Sequence, residues 1–217
     1  MRKSTICKII IFSVRTAAIF AFIMSIKLGN WFNTTSSFFA FTLTFLPYTI
    51  ERWYHLKLPP TFSITVALFV FAALVLGDYG DFYNRIPCWD TILHSFSGLA
   101  LAIACFSFIL SLYKNSRRLD QISPIMLIFF SFCFAVASGA VWEILEFSCD
   151  RTFGADMQLW KEPGITGLID TMSDIIMDTL GALLSCIVSY IYLKKSGLIK
   201  KMRKVELRHL HDQRTSR

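Results

Sequence analysis

Long apolar runs separated by short polar breaks make up most of this chain. The runs cover about residues 9–28, 33–50, 61–77, 91–113, 124–148 and 170–193. Each is near the roughly 20 residues that an α-helix needs to cross a bilayer. The breaks hold turn-forming and helix-stopping residues: Leu28-Gly29-Asn30, Pro59-Pro60, Gly77 to Pro87, Asn115 to Pro124 and Gly154 to Gly167. The pattern predicts an all-α, polytopic membrane bundle of about six transmembrane helices. It forms one domain over residues 1–193, followed by a basic tail, 194–217, too short for a core of its own. No internal repeat and no low-complexity segment interrupts the pattern.

Composition agrees with this reading. Of the 217 residues, 54% are hydrophobic and 17% charged, and Phe occurs 21 times. That is more apolar surface than a soluble domain of this length needs. The N-terminus has a basic start and an apolar run, but no small-residue cleavage site follows Lys27, so the first span is expected to stay uncleaved. Arg15 interrupts that span and should either snorkel to the cytoplasmic headgroups or pair inside the bundle.

Charge sets the orientation. With the N-terminus inside, the cytoplasmic pieces hold seventeen of the twenty-two basic residues, nine of them in the tail from Lys194. The outer loops hold only Arg85, Arg151 and Lys161. The positive-inside rule therefore puts both termini in the cytoplasm. The net charge of +7 is topological, and no basic folded face or motif suggests nucleic-acid binding. The six Cys are scattered without metal-ligand spacing, and most read as small packing residues. Cys88 and Cys149 both fall at segment ends, where sequence alone leaves a disulfide open.

The acids run the opposite way. The stretch IDTMSDIIMDTLGALLS, residues 169–185, carries Asp170, Asp174 and Asp178, each four residues after the last. Eleven of the fifteen acids, from Asp78 to Asp178, fall in outer loops or the outer halves of spans. Depth and helical phase both bring the last three spans together. At 1.5 Å per residue, His94, Glu146 and Asp174 share a depth of roughly 6 Å, and Glu143 and Asp178 lie at roughly 10–12 Å. Asp170, Asp174, Asp178, Gly181 and Ser185 share one side of span six. Gly139, Glu143, Glu146 and Asp150 share one side of span five, and Asp90, His94, Ser97 and Gly98 one side of span four. Small residues accompany each stripe and allow close helix approach. An acid at mid-bilayer opposes insertion by about 2.5–3.5 kcal/mol. These acids are therefore expected to face a shared cleft, balanced by protonation, a cation or a base.

Three functional classes fit. In the first, His94, Glu143, Glu146, Asp174 and Asp178 bind a divalent metal, with Asp90 and Asp170 around them as candidate catalytic acids. Oxygen-rich ligation with one imidazole suits Mg²⁺, Mn²⁺ or Fe²⁺ better than Zn²⁺. Such a centre would act on a lipid or lipid-linked substrate at the outer leaflet. The second class is a proton- or cation-coupled transporter, against which stand the missing inverted repeat and the confinement of the acids to one leaflet. The third is a structural polar cluster. Trp31, Trp53, Trp89 and Trp160 read as interfacial anchors, Trp142 as packing, and His55, His209 and His211 as solvated. No Ser-His-Asp spacing, phosphate loop or dinucleotide fingerprint is present.

The segments WDTILHSFSGLALA, GAVWEILEFSCDRTFG and GLIDTMSDIIMDTLGALL resemble the YjdF-type bacterial inner-membrane proteins, a family of unknown function. The likeness rests on Trp89-Asp90 to His94, on Glu143 to Glu146, and on Asp170 to Ala182. It covers about the second half of the chain. VanZ-like proteins are more distantly similar. The resemblance implies a multi-pass protein of the bacterial cytoplasmic membrane and implies no particular reaction.

Overall fold

The computed structural model describes residues 2–55, 58, 60–115 and 123–198. Their regular structure is entirely helical. The elements are α1 (Arg2–Lys27), α2 (Trp31–Leu43), α3 (Leu46–Tyr54), α4 (Pro60–Val70), a π-helix (Phe71–Tyr79) continuing α4, the single turn α5 (Phe82–Arg85), α6 (Trp89–Asn115), α7 (Pro124–Phe153) and α8 (Thr166–Lys195). Among the described residues, five segments are long and apolar enough to cross a membrane: Thr5–Lys27, Phe62–Tyr79, Trp89–Tyr113, Pro124–Phe153 and Thr166–Lys195. Most of the basic tail, with His209 and His211, lies outside the described residues.

Five such helices are close to the expected six, and the difference falls on the run at 33–50. Pro47 divides it. Proline has no N–H to give the carbonyl one turn back, so α2 stops at Leu43 and α3 restarts at Leu46 with Pro47 in its first turn. The Phe45 N–H turns instead to the Thr42 carbonyl at 3.0 Å. Thr44 and Phe45 keep right-handed helical dihedrals. At 1.5 Å per residue the two helices together reach roughly 36 Å, against a hydrocarbon core of about 30 Å. Arg15 of α1 braces the break. Its Nε donates to Thr44 Oγ1 at 2.9 Å, its Nη2 to the Thr44 carbonyl at 3.2 Å, and its guanidinium lies 3.7 Å from the centre of the Phe45 ring. Of the two fates open to Arg15, pairing within the protein is the one found.

The chain divides into two compact units, residues 1–93 and 94–217. In the first, α1, α2, α4 and the π-helix pack around Ala18, Ala21, Ala40, Val70 and Val75. Gly80 N–H bonds the Val75 carbonyl at 2.9 Å, the i−5 spacing of a π-turn.

The second unit is inside-out relative to a soluble bundle. On α7 the buried positions are Leu127, Ser131, Ala135, Gly139, Glu143, Glu146 and Asp150, spaced three or four apart. On α8 they are Asp174, Asp178, Gly181, Ala182, Ser185, Ser189 and Leu193. Most large apolar side chains point outward, as Phe129, Val141, Ile144, Met172, Ile176 and Ile187 do. In lipid the apolar face needs no burial, so the interior goes to small and polar residues. That interior has three layers. Phe106, Leu110, Leu127 and Leu193 close one end. Ala102, Ala135 and Ala182 fill the middle. His94 and the acids occupy the other end.

Candidate functional site

Asp178 sits where α6, α7 and α8 meet, and glycines make the meeting possible. A Cβ at Gly98 would land on the Asp178 carbonyl, and one at Gly139 would lie 2.8 Å from the Asp178 carboxylate carbon. A Cβ at Gly181 would fall on the Ser95 carbonyl, across the same crossing. Asp178 is 1% exposed. One oxygen, Oδ2, is 2.9 Å from His94 Nδ1. The other meets the hydroxyl of Ser97, which also reaches the His94 carbonyl at 2.8 Å.

This pair orients the imidazole. With the Asp178 carboxylate accepting, Nδ1 carries the proton and Nε2 is left with a lone pair. Nε2 faces Glu143 Oε1 at 3.9 Å, both groups being buried. The other Glu143 oxygen, Oε2, accepts from the Gln158 amide at 2.9 Å, and the same amide donates to the Glu143 carbonyl at 3.1 Å. Oε1 has no hydrogen-bond partner among the described residues. A buried carboxylate oxygen without a donor is costly, which calls for a cation or an ordered water.

Asp90 lies one turn before His94 on the same unbroken helix, and Asp174 one turn before Asp178 on α8. One ligand atom from each of Asp90, His94 and Asp174 lies within 4.8 Å of the others, an arrangement able to hold a metal ion. His94 and Asp174 are buried and Asp90 is half-buried. Glu146 is buried as well, and its Oε1 accepts from Trp142 Nε1 at 2.8 Å. Trp142 thus does more than pack. Asp170 is half-buried, one turn before Asp174.

The loop after α7 closes over this end. Helix α7 stops at Gly154, whose φ of 65° lies in the left-handed region that suits glycine. The Asp150 carboxylate then accepts from the backbone N–H of Met157 at 2.8 Å and of Gln158 at 3.0 Å. These bonds turn the chain back and insert Gln158 onto Glu143. Gln158 was not legible in the sequence. It lies in a loop without periodicity, and the only hint was an acid near a helix end followed by glycine. All six cysteines are free thiols, Cys88 and Cys149 included.

Fold and site together define a polytopic helical membrane protein with a buried Asp/His cluster in its last three helices. The chain belongs to the family described as predicted membrane protein DUF2238, whose model matches residues 6–195. The YjdF-type resemblance is consistent with that family. An uncharacterized protein of Thermotoga maritima is 34% identical over 164 residues, 75% of this chain and 79% of that one. No solved structure matches the chain.

Proposed function

We propose that this protein is a metal-dependent enzyme of the bacterial cytoplasmic membrane, acting on a lipid or lipid-linked cell-envelope substrate. The carrying observation is the 3.9 Å separation of His94 Nε2 and Glu143 Oε1 in a buried setting. It is too long for a hydrogen bond, whose range is about 2.7–3.2 Å. Two donors each roughly 2.0–2.2 Å from one ion stand about 3–4 Å apart. The group whose ligand atoms lie within 4.8 Å of one another is Asp90, His94 and Asp174, and Glu143, opposite Nε2, is read as a fourth ligand drawn in by the ion. His94, Glu143, Asp174 and Asp90 are then the ligands. Asp178 positions His94, and Glu146, held by Trp142, stands one turn from Glu143 as a carboxylate able to take a proton. Asp170 stands at the mouth as a further acid. Three carboxylates and one imidazole favour Mg²⁺, Mn²⁺ or Fe²⁺ over Zn²⁺. Such an ion, when bound, supplies Lewis-acid activation of a phosphoryl oxygen or of water.

The layered interior favours this reading over transport. Past the acids the second unit turns to alanines and then to the closely packed Phe106, Leu110, Leu127 and Leu193. A coupled transporter needs ionisable or polar relays toward both faces, and among the described residues the buried polar side chains of α7 and α8 past the acids are serines, Ser131, Ser185 and Ser189.

The test is elemental analysis of the purified chain, wild type beside His94→Ala and Glu143→Gln. The expected result is a near-stoichiometric divalent metal in the wild type and its loss in both variants, each still inserted and helical. Wild-type protein that holds no metal, and whose thermal unfolding ignores chelator, would remove the enzyme reading and leave a structural polar cluster.

A further inference from the structure

Beside the acid cluster stands a pair of cations that the proposed metal centre does not use. Arg151 directly follows Asp150 near the end of α7. Its guanidinium carbon lies 5.3 Å from the centre of the Phe147 ring and 5.1 Å from that of Trp160. The Lys161 ammonium lies 5.6 Å from the same Trp160 ring and donates to the Gly154 carbonyl at 2.7 Å. The ring is itself fixed, since Trp160 Nε1 donates to the Ala155 carbonyl at 2.8 Å. The Lys161 backbone N–H takes up an oxygen of Asp156 at 3.0 Å. Both cations are exposed, and among the described residues neither forms an ion pair with a carboxylate. Arg85, the other basic residue of the outer loops, differs: it is bonded to Asp81 at 3.0 Å. Basic residues in such loops work against the positive-inside bias, so two held on one indole ring and outside any ion pair are suited to an external anion.

We propose that Arg151, Trp160 and Lys161 form a docking surface for the phosphate of an anionic phospholipid headgroup. A lipid fits better than a soluble anion because large apolar side chains are exposed at the adjoining end of α7 and start of α8. Phe147, Phe153, Ile165 and Leu168 are all exposed, and an exposed Trp is itself suited to headgroup depth. Arg offers a planar fork to phosphate oxygens and Lys a point charge. The loop also ties this surface to the acid cluster. Gln158, two residues before Trp160, makes the bonds that hold Glu143. If the metal-enzyme reading holds, on which this extension rests, the surface names the substrate class as a phosphate-bearing lipid.

The experiment uses the full chain in detergent and follows thermal unfolding during titration with short-chain phosphatidylglycerol, phosphatidylcholine or inorganic phosphate. Metal content is measured on the same samples. Wild type should be stabilised by phosphatidylglycerol at a concentration several-fold below that needed for phosphatidylcholine. The Arg151→Gln/Lys161→Gln variant should lose that difference while keeping its metal, Lys161→Gln alone should lose part of it, and Arg85→Gln should keep it. A wild type without headgroup preference, a double variant that retains it, or inorganic phosphate alone giving the full shift would each overturn the docking surface. Metal-free protein with the preference intact would support the surface and overturn only the enzyme reading.

Discussion

At Asp178 one carboxylate meets His94 and Ser97 within a crossing of three helices. If it positions the imidazole, Asp178→Asn keeps the shape but removes the ionised acceptor. The expected effect is a 10–100-fold weaker metal affinity, the range for partners of metal-bound histidines, with little change in thermal unfolding. Competition with a graded chelator reads the affinity, and an unchanged value would refute the positioning role. Asp174→Asn removes a ligand charge and should abolish metal retention. If the acids are only protonated hydrogen-bonders, the same change should cost little. Gly139→Ala should destabilise by about 1–3 kcal/mol, because the added methyl has only the Asp178 side chain to displace. Gly98→Ala should cost at least as much, since its obstacle is a backbone carbonyl. Unfolding temperatures in detergent rank the two.

Among the elements, the break between α2 and α3 carries its own test. Arg15 satisfies the Thr44 hydroxyl and carbonyl and stacks on Phe45. Arg15→Lys keeps the charge but loses both the fork and the planar stack. Both Arg15→Lys and Arg15→Leu should therefore lower the unfolding temperature, Arg15→Leu further because it leaves the carbonyl without a donor. Full recovery by Lys would mean that charge alone matters at this position. The loop after α7 is the second such element. Asp150→Asn should weaken the two backbone bonds that turn Gln158 inward, and faster hydrogen exchange at Met157 and Gln158 would report it.

For the whole molecule the open quantity is orientation. The asymmetry of seventeen inner basic residues to three in the outer loops, with Lys27 at the outer end of α1 as a fourth, predicts both termini in the cytoplasm. That requires α2 and α3 to cross together as one kinked span, which their joint length of roughly 36 Å allows. A reporter active only in the cytoplasm should work when fused after Arg217. One active only outside should work within 78–88 and 151–168. Cytoplasmic labelling of either loop would reverse the orientation and move the proposed headgroup surface to the other leaflet.

The sequence by itself determined the class of fold, the helix positions and the faces that point inward. Apolar run length and the three-to-four spacing of acids and small residues are local, periodic quantities, so Glu143, Glu146, Asp150, Asp174 and Asp178 were legible as buried before any packing was known. It also carried the family likeness, through Asp90, His94 and the acids of the last two spans. Tertiary structure decided what each polar group meets. Depth and phase left His94 facing four carboxylates, Glu143, Glu146, Asp174 and Asp178, and only packing set Asp178 on Nδ1 and Glu143 opposite Nε2. Pro47 was visible, but the reach of Arg15 from α1 to Thr44 and Phe45 was not. Gln158, Trp160 and Lys161 were out of reach for a physical reason. They are placed by bonds to Asp150 and to loop carbonyls, and a loop has no period from which to read its direction.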